Sequence, residues 1–321
     1  MTDRLRRYAV ELALIAVAAV WGGTFVMVKD AVARYPFYGF LGWRFAIAVV
    51  AFLVIFPATF SRFRPGTVRA GALAGAFLAA GYVFQTWGLE STSASKAAFI
   101  TGMFVVITPL LQFVVLRRAP RPTALGGVAA AVAGLWLLSG AGAGGWGAGD
   151  TRVLLCAVAY SGHMIVLGAV GRRHDARALT LVQLAVIAVV CGAIAAVVER
   201  PSLPSGVEVW SALLVTGVLA SAVAFAVQTY AQRHLSPTRT ALILIMEPVF
   251  GGVFGYLLAG DRLGTRGWAG AALIFAGMVL SEAIGALRLG GESDAVLEPS
   301  LEGPPAPVME PGRDGEASGL D

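Results

Sequence analysis

The sequence predicts an all-α integral membrane protein with ten transmembrane helices, arranged as two inverted five-helix repeats with both termini in the cytoplasm. Composition, the number of long apolar segments and an internal repeat lead to this prediction. Of the 321 residues, 57% are hydrophobic and only 13% are charged, whereas soluble domains carry about 25% charged residues. A chain this apolar is typical of a protein embedded in a bilayer.

Segments long enough to cross a bilayer, about 20 residues each, recur ten times along the chain. The connections between them are short, which indicates one compact bundle without a soluble domain. The predicted segments are 8–28, 37–57, 69–89, 95–116, 123–141, 151–170, 179–198, 207–230, 239–259 and 267–287.

The distribution of basic residues predicts the orientation of the bundle. Lys and Arg are enriched in the cytoplasmic loops of membrane proteins. The arginine doublets at 6–7, 117–118 and 172–173 all fall on the N-terminal side of the predicted membrane. Both termini are therefore predicted to be cytoplasmic, in the multi-pass topology of a bacterial cell membrane protein. The net charge of +5 reflects this topology rather than a surface that binds nucleic acid.

The first five segments match the last five at an offset of 139–143 residues. An odd number of segments per copy places the two copies in opposite orientations, and that architecture holds a substrate site near the bilayer midplane. Matched positions are Trp21 with Tyr160, Arg44 with Gln183, Gln85 with Gln228, Lys96 with Arg239, and Gly127 and Gly134 with Gly270 and Gly277.

The repeat divides the chain into a first five-helix unit, 8–141, and a second one, 151–288. Residues 142–150 between them are Gly-rich and are predicted to form a flexible linker. A G-x-G-x-x-G match overlaps this linker, but a dinucleotide site needs a strand before it and a helix after it, and a membrane segment precedes it here. Residues 289–321 are rich in Gly, Pro and acidic residues and are predicted to form a disordered cytoplasmic tail.

Prolines interrupt two apolar segments, one in each half. Pro109 lies in the segment 93–116, and Pro248 follows Glu247 in the segment 236–263. A proline inside a helix removes a backbone hydrogen bond and clashes with the preceding turn, so both helices are predicted to be broken. The two prolines match only if four residues are dropped from the second copy. Paired broken helices are typical of transporters, and both prolines are predicted to take part in gating.

Several motifs resemble those of the EamA family of the drug/metabolite transporter superfamily. They are W-G-G-T at 21–24, W-R-F at 43–45, S-A-S-K-A-A-F-I-T-G at 93–102, E-P-V-F at 247–250 and A-G-D-R-L at 259–263. The last motif departs from the family in having Asp261 where Glu is usual. The resemblance implies ten helices in two pseudosymmetric halves, and export of amino acids, related metabolites or drugs.

Glu247 is a carboxylate within an apolar segment, where a charge costs about 2.5–3.5 kcal/mol on insertion scales. One interpretation is that it binds a coupling proton or a substrate ammonium group. The other is structural, in which the carboxylate caps backbone amides freed by Pro248 or pairs with a neighbouring helix. Glu11 also lies near the membrane, but the nearby Arg6 and Arg7 favour an ion pair at the interface.

Arg44 and His163 are the other charged or titratable candidates within the predicted membrane. Arg44 could bind a substrate carboxylate through its planar guanidinium group, or it could hold helices together as an internally paired side chain. His163 could relay protons, or it could be a core histidine bonded to Ser161 or a backbone carbonyl.

Aromatic rings and amides suit a midplane pocket for an amphipathic metabolite. The predicted substrate-binding set comprises Arg44 and His163 together with Trp21, Tyr82, Gln85, Trp87, Tyr160, Gln228 and Tyr230. Cys156 and Cys191 are interpreted as free packing residues. No Cys/His spacing suggests a metal site, and no cofactor is expected.

These observations predict a transporter that exports small metabolites, amino acids or related compounds, by alternating access. Transport is either facilitative or coupled to protons. Efflux of lipophilic drugs is the alternative. A membrane-embedded enzyme would need clustered acids, histidines or metal ligands, and Glu247 and His163 alone do not provide them, so no enzymatic activity is expected. The expected partners are the lipid bilayer and a small-molecule substrate, with no nucleic acid.

Overall fold

A computed structural model of the chain describes residues 3–117, 122–139, 145–171, 173–231, 235, 240 and 243–293. Within these ranges the regular structure is entirely helical, which confirms the all-α fold class. The α-helices are α1 Asp3–Val32, α2 Phe37–Ile55, α3 Thr67–Leu89, α4 Ala94–Gly102, α5 Phe104–Leu116, α6 Pro122–Ser139, α7 Ala148–Val170, α8 Ala176–Ile194, α9 Val207–Leu214, α10 Ala224–Ala231, α11 Glu247–Leu258 and α12 Gly264–Ser293.

Three further helical segments depart from α geometry. Pro57–Arg62 is a 3-10 helix between α2 and α3. Ala195–Glu199 continues α8 as a π-helix, and Val215–Val223 joins α9 to α10 as a second π-helix. A π-helix is a wider turn with i→i+5 hydrogen bonds, and neither π-helix was predicted from the sequence.

Seven helical segments in the described part of the chain are long and apolar enough to cross a membrane. They are Tyr8–Val32, Phe37–Ile55, Thr67–Leu89, Ala94–Val115, Ala148–Val170, Ala176–Glu199 and Val207–Gln228. Each coincides with a predicted segment, and Pro122–Leu138 is a shorter apolar helix at the fifth. The protein is therefore a multi-pass membrane protein. The total of ten spans and the orientation of the termini remain predictions.

The helix of the fourth span breaks at Met103 rather than at Pro109. The Met103 N–H donates to the Ile100 carbonyl at 3.1 Å, a tight turn that ends α4, whereas Pro109 lies inside α5. We attribute the position of the break to tertiary packing. The residue before it, Gly102, packs so closely against Pro248 that a Cβ there would lie 2.8 Å from the Pro248 ring. A second turn, at Ile245 and Met246, precedes α11.

Glycines allow the helices to approach closely, as in other membrane bundles. A Cβ on Gly22 of α1 would lie 2.6 Å from the Gly251 nitrogen of α11. Between α6 and α12, a Cβ on Gly127 or on Gly277 would lie 2.5 Å from the carbonyl oxygen of the other glycine. Gly134 and Gly270 face each other in the same way, at 2.6 Å.

The boundaries of the predicted linker and tail differ from the structure where they can be compared. Helix α7 begins at Ala148, so the last three residues of the predicted linker are helical, and residues 140–144 lie outside the described residues. Helix α12 continues to Ser293, beyond the predicted start of the tail at 289. Residues 294–321 lie outside the described residues.

Candidate functional site

Arg44 lies in the interior of the bundle on α2, with only 3% of its surface exposed. Buried Phe40, Phe45 and Phe52 fix this face of α2 in the core. The guanidinium carbon lies 4.9 Å from the centroid of the Tyr82 ring and 5.1 Å from that of Phe45. The buried Nε has no hydrogen-bond partner, and no carboxylate of the described residues forms an ion pair with Arg44. A buried charge without a partner is unfavourable, so this group is suited to bind an anion.

Tyr82 on α3 and Tyr160 on α7 form the aromatic wall beside Arg44. Their ring centroids lie 5.7 Å apart in an edge-to-face arrangement, and Tyr82 also packs against Phe45 at 4.7 Å. Gly81 makes this approach possible, because a Cβ there would lie 2.1 Å from the Tyr160 ring. Three predicted substrate-binding residues thus meet at one place.

Glu247 is the first residue of α11, with Pro248 next to it in the first turn. Proline is tolerated at this position because the first N–H groups of a helix have no intrahelical partner. A carboxylate at a helix N-terminus is also favoured by the helix dipole. Glu247 lies within electrostatic range of Tyr82, Tyr160 and Cys156. The charges of Glu247 and Arg44 therefore both act on this pair of tyrosines.

His163 on α7 has a specific partner that the sequence did not indicate. Its Nε2 lies 2.6 Å from the Gln183 Oε1 on α8, and the Gln183 amide nitrogen donates to the Leu179 carbonyl at 3.0 Å. The Gln183 oxygen is therefore the acceptor, and His163 donates through Nε2. Ser161, named as a possible partner, instead donates to the carbonyls of Ala157 and Phe104.

Two predicted amide and aromatic residues join helices near the site. Gln85 donates to the Thr101 hydroxyl at 3.2 Å, which connects α3 to α4. The Trp21 indole N–H donates to the Ala220 carbonyl at 2.6 Å, and its ring packs edge-to-face against Phe225 at 6.3 Å. Gln228 on α10 is half-buried.

Trp87 and Tyr230 are placed away from the tyrosine pair, on exposed surface. Trp87 is 36% exposed, and the guanidinium carbon of Arg152 lies 3.9 Å from its ring centroid. Tyr230 is 47% exposed, and its hydroxyl accepts a hydrogen bond from Arg6 at 3.2 Å. These two side chains are occupied by surface arginines, and the structure does not bring them together with Arg44.

A buried polar cluster at the start of α4 was missed by the sequence reasoning. We call it the α4 cluster; its members are Lys29, Thr92, Ser95, Lys96, Asp150 and Asp261. The central contact joins the Lys96 Nζ to the Asp150 Oδ2 at 2.7 Å. The signal in the sequence was a single Lys and a single Asp, Lys96 and Asp150, each at the end of an apolar segment. The sequence analysis places Asp150 in the linker, so it does not predict this ion pair.

The described residues contain no group of three or more His, Cys, Asp or Glu side chains that could hold a metal ion. Cys156 and Cys191 are buried and free, as predicted.

Comparisons with known proteins show the family and the fold of the chain. A family model described as "EamA-like transporter family" matches residues 9–140 and 147–282. An uncharacterized transporter of Archaeoglobus fulgidus is 29% identical over 278 residues, which cover 87% of each chain. A protein of known crystal structure, 18% identical, has a TM-score of 0.63 and covers 88% of this chain and 99% of its own. That last likeness concerns the fold alone.

Proposed function

The chain belongs to the EamA-like transporter family, and on that premise we propose that it exports small amphipathic metabolites, amino acids first among them, by alternating access. The proposal has two parts, a substrate site at Arg44 and a pair of inverted halves that open it to either side of the membrane.

The buried Arg44 is the observation that carries the substrate site. Its guanidinium group has no acidic partner among the described residues, and it lies against Tyr82. Glu247 lies within range of the same tyrosines. An amino acid would place its carboxylate at Arg44 and its ammonium group toward Glu247, with its side chain against the aromatic wall. Arg44 would then gain an anionic partner and Glu247 a cationic one.

Equivalent helix breaks support the inverted halves. Met103 and Met246 lie 143 residues apart, and each donates its N–H to the carbonyl of an isoleucine three residues earlier, at 3.1 Å in both cases. Helices α5 and α11 begin directly after these two turns. This correspondence needs no gap, so it replaces the alignment of Pro109 with Pro248 as the better match between the halves.

Equivalent contacts between helices give further support. Trp21 packs against Phe225 edge-to-face, and Tyr160 packs against Tyr82 in the same way; the sequence repeat aligns Trp21 with Tyr160. A Cβ on Gly75 would lie 3.1 Å from Gln183, and one on Gly217 would lie 2.8 Å from Arg44. Arg44 and Gln183 are themselves matched by the repeat. A twofold relation between the halves accounts for both sets of contacts.

Counterflow in proteoliposomes tests this function. Vesicles that contain the purified protein and a pool of unlabelled amino acids are expected to take up labelled amino acid in a saturable manner. Loss of uptake in Glu247→Gln only under a pH gradient would show that Glu247 carries a coupling proton, and loss in both conditions would show that it binds the substrate ammonium group. Unchanged uptake in both conditions would contradict both roles. Glu208→Gln is the matched control, because Glu208 also lies in a first helical turn but is exposed.

Absence of exchange with every amino acid tested would contradict the proposed substrate class. The same vesicles then test lipophilic cations, and their saturable exchange would establish the drug-efflux alternative.

A further inference from the structure

We propose that the α4 cluster is the gate that closes one end of the transport pathway, with the Lys96–Asp150 ion pair as its central contact. The proposal rests on the alternating-access function proposed above. It concerns the end of the bundle at which α1 ends and α4 and α7 begin, here called the Lys96 end.

The ion pair is buried, and both of its members make further hydrogen bonds. The side chains of Lys96 and Asp150 are 10% and 3% exposed, and their charged atoms lie 2.7 Å apart. Lys96 also donates to the Gly145 carbonyl at 2.8 Å. Asp150 accepts from the Gly147 N–H at 3.0 Å and from the Thr92 hydroxyl. Because its two charges are paired and hydrogen-bonded, the cluster stabilises the arrangement in which these helices touch.

The contacts of the cluster run between the two predicted halves. Lys96 on α4 belongs to the first half and Asp150 on α7 to the second. The Asp261 carboxylate accepts from the Ser95 N–H at 2.8 Å, so an acid that follows α11 caps the N-terminus of α4. The Ser95 hydroxyl donates to the Gly252 carbonyl at 3.3 Å. Separation of the halves at this end requires that all of these contacts break.

Lys29 ties α1 to the same turn. Its ammonium group donates to the Thr92 carbonyl, and the Asp261 charge also acts on it. Three elements therefore converge on the residues that precede α4: the end of α1, the start of α7 and the loop after α11. A pathway between helices closes when the helix ends around it are held together, and these contacts hold three such elements together.

Charged groups suit a gate because they have favourable interactions in both the closed and the open state. In the closed state each charge has its partner, and on opening both charges are hydrated by the water that enters. Removal of one partner acts on the closed state alone, because it leaves the remaining charge buried and unpaired there. A single neutralisation is therefore expected to shift the population toward the state that is open at the Lys96 end.

The gate and the candidate substrate site share helix α7, which contains both Asp150 and Tyr160. Cys156 follows Asp150 by six residues on α7, about 9 Å at 1.5 Å per residue. It lies beside Thr101 and Tyr160 and is fully buried. The native Cys156 thiol is thus a reporter of the pathway below the ion pair.

The test measures the rate at which a membrane-impermeant methanethiosulfonate reagent modifies Cys156, from each side of sealed vesicles. Cys191→Ala provides the background, and Glu90→Cys, an exposed position between α3 and α4, marks the side on which the Lys96 end lies. Lys96→Met and Asp150→Asn are each expected to raise the rate from that side by about tenfold or more. The charge exchange Lys96→Asp with Asp150→Lys is expected to return the rate toward that of the background.

The matched control is the Asp30–Arg34 pair, which has the same 2.7 Å separation but is half-exposed at the end of α1. Asp30→Asn is expected to leave the rate unchanged. Equal rates for Lys96→Met and the background would overturn the proposal, as would an increase of the same size from both sides, which reports loss of the fold. The readout needs no substrate, so it distinguishes failure of the gate from failure of the proposed transport function.

Discussion

Arg44 is buried at a position where a neutral side chain would be more favourable for folding. The guanidinium group gains some stabilisation from the Tyr82 and Phe45 rings, since cation–π contacts contribute about 2 kcal/mol when desolvated. That gain does not replace the lost hydration of a charge or the missing partner of Nε. A residue that is retained against stability in this way is typical of a binding site.

The variant Arg44→Gln tests this opposition between stability and function. A hydrogen bond to a charged group contributes about 1.5–3 kcal/mol, so its loss is expected to raise the KM for an amino acid substrate by about tenfold or more. The melting temperature in detergent is expected to stay the same or rise, because a buried charge has been removed.

Arg152→Gln is the control for that experiment. Arg152 also packs against an aromatic ring, but that ring belongs to the exposed Trp87. Its KM is expected to match that of the unaltered protein. An unchanged KM in Arg44→Gln, or a lower melting temperature, would assign Arg44 a purely structural role.

The sequence could predict Arg44, Tyr82 and Tyr160 as candidates, because polar and aromatic side chains in long apolar segments are few, and the structure brings these three together. It could not separate them from Trp87 and Tyr230, since helices that are apolar on all sides give no periodic signal for the buried face. The hydrogen-bond partner of His163 could not be predicted from the sequence either, because Gln183 lies on another helix. The Lys96–Asp150 contact was missed for the same reason.

At the scale of elements, α4 and α5 show how packing decides where a helix breaks. The sequence indicated that the fourth span is interrupted, and the interruption is present. Pro109 suggested the wrong turn, because a proline can be accommodated within α5 while the contact of Gly102 with Pro248 cannot be read from local sequence. The turn before α11 lies where Pro248 suggested, since a proline fits the first turn of a new helix.

Gly22 is expected to be indispensable for the contact between α1 and α11. A Cβ at this position would lie 2.6 Å from both the Gly251 nitrogen and the Phe250 Cβ, so Gly22→Ala must push the two helices apart. The expected loss of stability is about 1–3 kcal/mol, measured as a lower melting temperature in detergent.

Gly168→Ala is the matched control on α7, because a Cβ there would meet nothing within 4 Å. Alanine is the better helix former, so this variant is expected to be neutral or slightly stabilised. If both alanine variants melted at the same temperature as the unaltered protein, the close approach of α1 and α11 would not be a source of stability.

At the scale of the whole molecule, the distribution of basic residues and the order of the spans predict which loops face the same side of the membrane. The turn between α3 and α4 contains exposed Glu90, and the 3-10 helix between α2 and α3 contains exposed Ser61. These two positions lie at opposite ends of α3, a helix long enough to cross the membrane. The predicted cytoplasmic N-terminus places Glu90 outside and Ser61 inside.

Single cysteines test this topology in intact cells. In a background without Cys156 and Cys191, Glu90→Cys is expected to react with an impermeant maleimide, and Ser61→Cys only after permeabilisation. The reverse pattern would invert the orientation without affecting the fold, and reaction of both variants in intact cells would rule out a transmembrane α3.

The glycines that the sequence repeat matches lie at the contact between α6 and α12, where Gly127 faces Gly277 and Gly134 faces Gly270. The register of the repeat could not be predicted in the same way. Short matches between apolar helices tolerate a shift of one turn, and the choice between Pro109 and Val105 as the counterpart of Pro248 depends on backbone contacts that only the folded chain displays.

The π-helix Val215–Val223 lies where the two predicted halves differ in length by one residue. Gly75 and Gly217 are 142 residues apart, whereas Tyr82 and Phe225 are 143 residues apart. The stretch from Gly217 to Phe225 is therefore one residue longer than the stretch from Gly75 to Tyr82, and it contains the wide turn. In an α-helix an insertion would rotate everything beyond it by about 100°. The π turn absorbs the extra residue, so that Phe225 still faces Trp21 as Tyr82 faces Tyr160.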